Sequence, residues 1–195
     1  MDKVFMINAG TPYAFAKGDL NRNLYDAAVS LLTGAGYEVQ STHLTEGYRE
    51  EEEVAKFLWA DAIIYQMPAW WMGAPWPLKK YIDEVFTVDH GQLFADDGRS
   101  SAAPALGYGS GGLLQGRKYM ISSTWNAPRH AFEAQDDFFE GRGIDAVYFP
   151  FHKAHQLIGL EALPTFACFD VVKNPEYESD LLRYKQHLEQ VFNTR

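Results

Sequence analysis

Ala62–Phe86 reads AIIYQMPAWWMGAPWPLKKYIDEVF, and this stretch decides the fold. Its opening, Ala62-Ile63-Ile64-Tyr65, has the length and β-branched content of a buried strand. The run stops at Pro68. Pro68–Pro77 then carries Trp70, Trp71 and Trp76, with a methionine, a glycine and two further prolines. Helical spacing resumes after Pro77 at Leu78, Tyr81, Ile82, Val85 and Phe86. A rigid aromatic loop therefore leaves the carboxyl end of a parallel strand and feeds a helix, which is where open α/β sheets bind ligands. Loops are ordinarily polar because they face water. One this rich in tryptophan covers something flat and apolar, either a planar ligand or a partner subunit. A buried indole needs a partner for its N–H, so three of them are a poor way to plug a small core.

Strand and helix patterns alternate on both sides of this unit. Val4–Asn8 is a short apolar strand, and Gly10 to Gly18 a loop. A helix begins at Gly18 or Asp19, carries Leu20, Leu24, Ala27, Ala28, Leu31 and Leu32 on one face, and ends at Gly34 and Gly36. Tyr37–Leu44 alternates as a second strand, Glu50–Trp59 is a helix with an acidic start, Ala62–Gln66 is the third strand and Leu78–Phe86 the next helix. Lys118–Thr124 is a fourth strand, Ala131–Phe139 a helix, Ala146–Pro150 a short apolar run, Phe166–Val172 a fifth strand and Ser179–Phe192 a closing helix. Five strands alternating with helices predict an α/β three-layer sandwich, a five-stranded parallel sheet covered on both faces. Right-handed crossovers favour the flavodoxin-like order 2-1-3-4-5. The whole chain, 1–195, reads as a single domain. Asp89–Gly116 is long and glycine-rich; Gly107-Tyr108-Gly109-Ser110-Gly111-Gly112 suits neither a helix nor a central strand, and such a loop is either functional or disordered.

Composition narrows the function. The net charge of −9 argues against nucleic acid or an anionic membrane as the main partner. It leaves room for an anion held locally by backbone N–H groups at a helix start. Aromatic residues make up 15% of the chain, which suits a planar ligand. The single cysteine, Cys168, rules out an internal disulfide framework and sits in an apolar run as an inert core thiol. No segment has membrane-spanning length, and Met1-Asp2-Lys3 leads into too short an apolar run for a signal core, so a cytoplasmic location is expected.

The loops after strands one, three and four converge in such a sheet. The first lacks the dinucleotide and P-loop glycine patterns. It offers Gly18-Asp19-Leu20-Asn21 at a helix N-terminus, whose unpaired N–H groups either receive a pyrophosphate or are simply capped. Thr124-Trp125-Asn126-Ala127-Pro128 supplies a hydroxyl, an indole, an amide and backbone N–H groups. These suit the polar rim of a flavin ring whose face lies along the tryptophan loop, or else form an ordinary turn. His152 and His155 lack a third ligand at metal spacing; no metal site is expected, and the pair instead lines a substrate pocket. Ser122, Ser123 and Thr124 lack the nucleophile-elbow pattern, and Glu50–Glu53 is a helix start matched to the dipole.

Trp59-Ala60-Asp61 through Phe86, Gly109–Tyr119, Thr124–Pro128 and Pro150-Phe151-His152-Lys153-Ala154 together resemble the modulator of drug activity B family. These are NADPH-dependent quinone reductases of flavodoxin-like fold related to DT-diaphorase, and the likeness covers nearly the whole chain. The resemblance implies a homodimer with noncovalent FAD, and NADPH (or NADH) as the hydride donor to a quinone in a two-electron ping-pong reaction. It implies that Ala16, Lys17, Gly18, Asp19, Leu20, Asn21, Arg22 and Asn23 receive the diphosphate. Pro68, Ala69, Trp70, Trp71 and Met72, together with Thr124, Trp125, Asn126 and Ala127, receive the flavin, with Tyr108 reaching in from the long loop. Asn126, Tyr108 and His155 are the catalytic candidates. The family often has serine at position 16 and Pro-Gly-Trp-Trp at the loop opening, where this chain has Ala16 and Ala69. Competing readings are an azo- or nitroreductase using the same flavin, and a non-enzymatic electron carrier or regulatory subunit.

Overall fold

A computed structural model describes residues 1–12, 17–88 and 91–192. Strand β1 (Lys3–Asn8) lies between β2 (Glu38–His43) and β3 (Ala62–Pro68), and β3 pairs in turn with β4 (Lys118–Thr124). Every pairing is parallel, and the order is 2-1-3-4-5. Helices α1 (Asp19–Gly34) and α7 (Tyr177–Phe192) cover one face. The opposite face carries α2 (Glu50–Trp59), α3 (Trp76–Thr87) and α6 (Phe149–Leu157).

The central strands alternate between the two cores, as period-two geometry requires. Phe5, Ile7, Ile63, Tyr65, Tyr119 and Ile121 join the α2/α3/α6 core. Val4, Met6, Ala62, Ile64 and Met120 join the α1/α7 core with Leu24, Leu32, Tyr184 and Leu188. Burial on both faces explains why β1 and β3 read as continuous apolar runs.

The far side of β4 departs from the five-strand expectation. Two short strands pair there, β5 (Glu161–Ala162) and β6 (Phe166–Cys168). Pro164 lies between them and has no N–H to give to a ladder, so the two stay separate, and only β6 falls within the expected fifth strand Phe166–Val172. It also ends early. Asp170 has φ +54, which turns the backbone out of the sheet before Val172. The expected helix over 131–139 shrinks to α4 (His130–Glu133), and Phe139 instead stacks on Phe132 at 4.2 Å. The apolar run at 146–150 belongs to two helical pieces, α5 (Ile144–Val147) and α6.

Residues 91–116 form a strap, not an open loop. Ala95 and Leu113 N–H groups donate to the Gly111 and Leu93 carbonyls, both at 2.8 Å. Leu114 N–H donates to the Ile158 carbonyl at 3.0 Å, fixing the strap to the end of α6. Gly112 permits this closeness, since a Cβ there would stand 2.3 Å from the Gly159 nitrogen. Cys168 is buried, and burial pushes its thiol up to about 12. Among the described residues no helix is long and apolar enough to cross a membrane.

A buried amide network ties α1 to the sheet. The Asn21 Nδ2 group donates to Asn8 Oδ1 at 2.9 Å, and Gln66 Nε2 donates to Asn21 Oδ1 at 3.0 Å. Gly10 N–H also donates to Asn8 Oδ1 at 2.9 Å. Replacing Asn21 by Ala strands Gln66 Nε2 and leaves Asn8 Oδ1 with Gly10 N–H as its remaining donor. Asn21→Ala should therefore cost roughly 1–3 kcal/mol, seen as a melting temperature lower by about 2–12 °C. A melting curve that superposes on that of the parent would show the network to be dispensable.

Candidate active site

The carboxyl ends of the three central strands lie level. Asn8 pairs with Gln66, and Pro68 with Thr124. Ala9 N–H donates to the Gln66 carbonyl at 2.9 Å, Ala69 N–H to Thr124 at 2.9 Å and Trp125 N–H to Cys168 at 2.8 Å. The loops after β1, β3 and β4 therefore leave one edge together.

At the first loop, Gly18 precedes α1 with φ +79 and no side chain caps the helix start. Among the described residues, the N–H groups of Asp19, Leu20 and Asn21 have no acceptor. Thr11 Oγ1 is buried there without a partner. Lys17, Asp19 and Arg22 are exposed, and Leu20 and Asn23 are half-buried. Asn21 is buried with its amide already bonded on both sides, so it offers a ligand only its backbone. Ala16 lies outside the described residues.

The second loop is built on a strained turn. Trp70 N–H donates to the Gly73 carbonyl at 3.0 Å, and Gly73 N–H returns to Trp70 at 3.2 Å. Between them Trp71 has φ +43 and Met72 φ +63. Two positive φ values inside a closed four-residue turn are the type I′ pattern that Asn-Gly ordinarily fills. Placing Trp and Met there costs about 1–2 kcal/mol each. The strain stands Trp71 out of the fold at 98% exposure, with Trp76 at 65%. Ala69, Trp70, Trp71 and Trp76 line a hollow of about 390 Å³. Ala69, in the family's glycine position, is not among the positive-φ residues. The Trp71 and Met72 N–H groups have no acceptor among the described residues.

The third loop presents less than its sequence promises. Trp125 turns inward, its Nε1–H donating to Ser123 Oγ at 3.1 Å and its ring meeting Phe132 at 5.0 Å. Its indole is therefore spent in the core. Thr124 is buried as well, leaving Asn126 as the exposed side chain of the trio. The N–H groups of Asn126 and Ala127 have no acceptor among the described residues, while the Ala127 carbonyl accepts from Asp170 N–H at 3.1 Å.

Tyr108 is exposed on the strap and lines a separate cleft against α6. His155 corrects the expectation of a pocket-lining residue. Its ring is fully buried between the sheet and α6, with Nδ1 2.8 Å from the Phe151 carbonyl and Nε2 2.7 Å from the Tyr65 hydroxyl. The carbonyl can only accept, so Nδ1 carries the hydrogen and Nε2 accepts from Tyr65. Burial holds its pKa down at about 3. His152 sits 2.6 Å from the Tyr119 hydroxyl and 3.4 Å from Asp145. Sequence reasoning missed a second hollow, of about 260 Å³, where Met72 and Ile82 face Val147, Tyr148, Phe151 and Ala154.

A family model described as a flavodoxin-like fold matches residues 2–192, which defines the class. The NADPH:quinone oxidoreductase MdaB of Haemophilus influenzae is 51% identical over 97% of this chain and 98% of its own length. An uncharacterized protein of Schizosaccharomyces pombe is 50% identical over 98% of each. A solved structure described as a putative quinone reductase from Klebsiella pneumoniae shares the fold, with TM-score 0.77 and 23% identity over all of this chain and 86% of that one. The chain belongs to the modulator of drug activity B family within the flavodoxin-like fold.

The buried histidine makes stability depend on pH. Its folded pKa lies below the unfolded value near 6.5, so the unfolded chain takes up the proton first and stability falls as pH drops below about 6.5. In denaturant titrations His155→Gln, which cannot take up that proton, should lose about 2 kcal/mol less than the parent between pH 7 and pH 5. Equal losses would mean that His155 is protonated in the fold.

Proposed function

We propose that the protein is an FAD-dependent NAD(P)H:quinone oxidoreductase acting as a cytoplasmic homodimer. The carrying observation is the pair of loops after β3 and β4, each with two N–H groups that have no acceptor among the described residues, beside a hollow walled by tryptophan. Such a site matches a planar ring with a polar rim. The open start of α1 matches a diphosphate, and Thr11 Oγ1, on the loop before it, is buried with no partner among the described residues. The 51% identity to a NADPH:quinone oxidoreductase supports the same assignment.

A bound flavin would supply the hydride chemistry, accepting from the nicotinamide and giving to the quinone. The chain's own groups bind and orient. The N–H groups of Asp19, Leu20 and Asn21 would hold phosphate oxygens, and Gly18 keeps that approach clear of a side chain. Trp70 and Trp71 would wall the ring and exclude water from it. The N–H groups of Asn126 and Ala127, with the Asn126 amide, would bind the ring's polar rim, where they would stabilise negative charge. Exposed Trp71, Trp76, Leu106, Leu113 and Phe149 are more apolar surface than a monomer ordinarily leaves in water, which supports a second copy covering the hollow.

Pigment released on denaturation should chromatograph as FAD; FMN, or failure to reconstitute with FAD, would refute the assignment. One hollow serves nicotinamide and quinone by turns, so double-reciprocal plots should be parallel, and intersecting lines would show both bound at once. Light scattering should give twice the chain mass, and a fully active monomer would remove the dimer from the proposal.

Asn126→Ala separates chemistry from scaffolding. A hydrogen bond to a charged group contributes about 1.5–3 kcal/mol, so the variant should keep its flavin yet reduce about tenfold to a hundredfold more slowly in stopped flow with NADPH. Lost flavin with an unchanged rate in the remainder would restrict Asn126 to shaping the turn.

A further inference from the structure

The turn after β4 is gripped from behind by the chain that leaves β6. Trp125 N–H donates to the Cys168 carbonyl at 2.8 Å, Val171 N–H to the Trp125 carbonyl at 3.1 Å and Asp170 N–H to the Ala127 carbonyl at 3.1 Å. A trans peptide is planar, and its N–H points opposite to its C=O. The bond on the Trp125 carbonyl therefore aims the Asn126 N–H away from Val171. The bond on the Ala127 carbonyl fixes the next plane but one, so the Asn126–Ala127 peptide lies between two held neighbours. The N–H groups directed in this way, on Asn126 and Ala127, are the two with no acceptor among the described residues.

Two successive N–H groups do not ordinarily serve the same neighbour, because in extended backbone they point to opposite sides. Asp170 has φ +54, and a left-handed residue brings consecutive N–H groups to one side. Asn174 N–H closes the following turn on the Asp170 carbonyl at 3.1 Å. Beside it, the Phe169 ring lies 4.7 Å from the Arg129 guanidinium and 5.3 Å from the Phe132 ring. Arg129 and Phe132 come directly after the gripped turn, so the clamp is anchored to the segment it holds. A left-handed residue other than glycine persists where its surroundings over-determine it, and such positions cluster at functional sites.

We propose that Asp170 and Val171 are positioning residues for the flavin: their paired N–H groups set the direction of the Asn126 and Ala127 donors, and thereby how strongly the reduced flavin is favoured over the oxidised. The proposal rests on the reductase reading and deepens it. Donors fixed before the ligand arrives need no reorganisation when negative charge gathers on the ring, and donors left loose lose that advantage. The reduced ring carries the greater negative charge, so the loss falls on the reduced form.

Two substitutions separate the backbone from the side chain. Asp170→Gly keeps the left-handed conformation without strain, whereas Asp170→Val opposes it with a β-branched side chain. In the full chain without flavin, NMR hydrogen exchange should show the amides of residues 170 and 171 protected by about tenfold or more in the wild type and in Asp170→Gly. Asp170→Val should lose that protection and gain backbone motion at Asn126 and Ala127. In the flavin-loaded protein, the midpoint potential should stay at the wild-type value in Asp170→Gly. In Asp170→Val the preference for the reduced form should weaken about tenfold, a fall of about 30 mV for two electrons. Unprotected amides at 170 and 171 in the wild type would overturn the proposal, and that result does not depend on any variant folding. So would a valine variant that melts earlier at an unchanged potential, which is the signature of scaffolding alone. A glycine variant whose potential falls as far would transfer the effect to the Asp170 carboxylate and overturn it too. A wild type that takes up no flavin would overturn the reductase reading instead, and the exchange measurement would still decide whether the clamp holds the turn.

Discussion

The site depends on one buried side chain, Asn21. Its amide bridges Asn8 at the end of β1 and Gln66 near the end of β3, and so locates the first turn of α1 against both strands. A helix start placed only by apolar contacts could slide along the sheet, because hydrophobic packing has no direction. Hydrogen bonds in a dry core do have direction, and breaking them leaves unsatisfied groups. Gly10 is part of the same arrangement, since a Cβ there would fall 2.2 Å from Asn21 Nδ2. The N–H groups of α1 thereby share the edge from which the tryptophan loop and the Thr124–Pro128 turn emerge.

Beyond that edge the chain uses backbone more than side chain. The polar side chains in the loop after β4 are largely committed inward: Trp125 to Ser123, Thr124 to burial. What remains accessible is Asn126 and two bare N–H groups. Backbone donors carry no rotamer freedom, so they meet a ligand without the entropy loss that a flexible side chain incurs.

Much of this was legible in the sequence because local signals agreed. The apolar run Ala62–Tyr65, Pro68 and the resumption of helical spacing at Leu78 each point to the same strand–loop–helix unit, and β3 and α3 follow. Strand β4 and helix α2 have the expected bounds, since one carries Tyr119-Met120-Ile121 and is closed by the turn before Pro128, and the other has an acidic start with a clear inner face. Legibility failed where long-range contacts decide. Helix α6 is short, opens at Phe149-Pro150 and is held by Phe151 and His155 packing on the sheet. No local pattern announces that. Phe139 reads as helix by spacing, but stacking on Phe132 outweighs a weak propensity. Trp125 looks like a ligand group from its neighbours in sequence, and only the position of Ser123 shows where its N–H goes.

The turn at Trp71 and Met72 has a consequence for how this protein tolerates change. Both residues occupy backbone conformations that glycine or asparagine would adopt with less strain. Random mutagenesis screened only for heat resistance should therefore enrich substitutions at these two codons early, because stabilising changes are easiest to find where the fold is held against its own preference. The survivors would be hardier and would lack an aromatic wall. Robustness and recognition thus compete for the same six nucleotides, and only a screen that also reads ligand binding would keep the tryptophan in place.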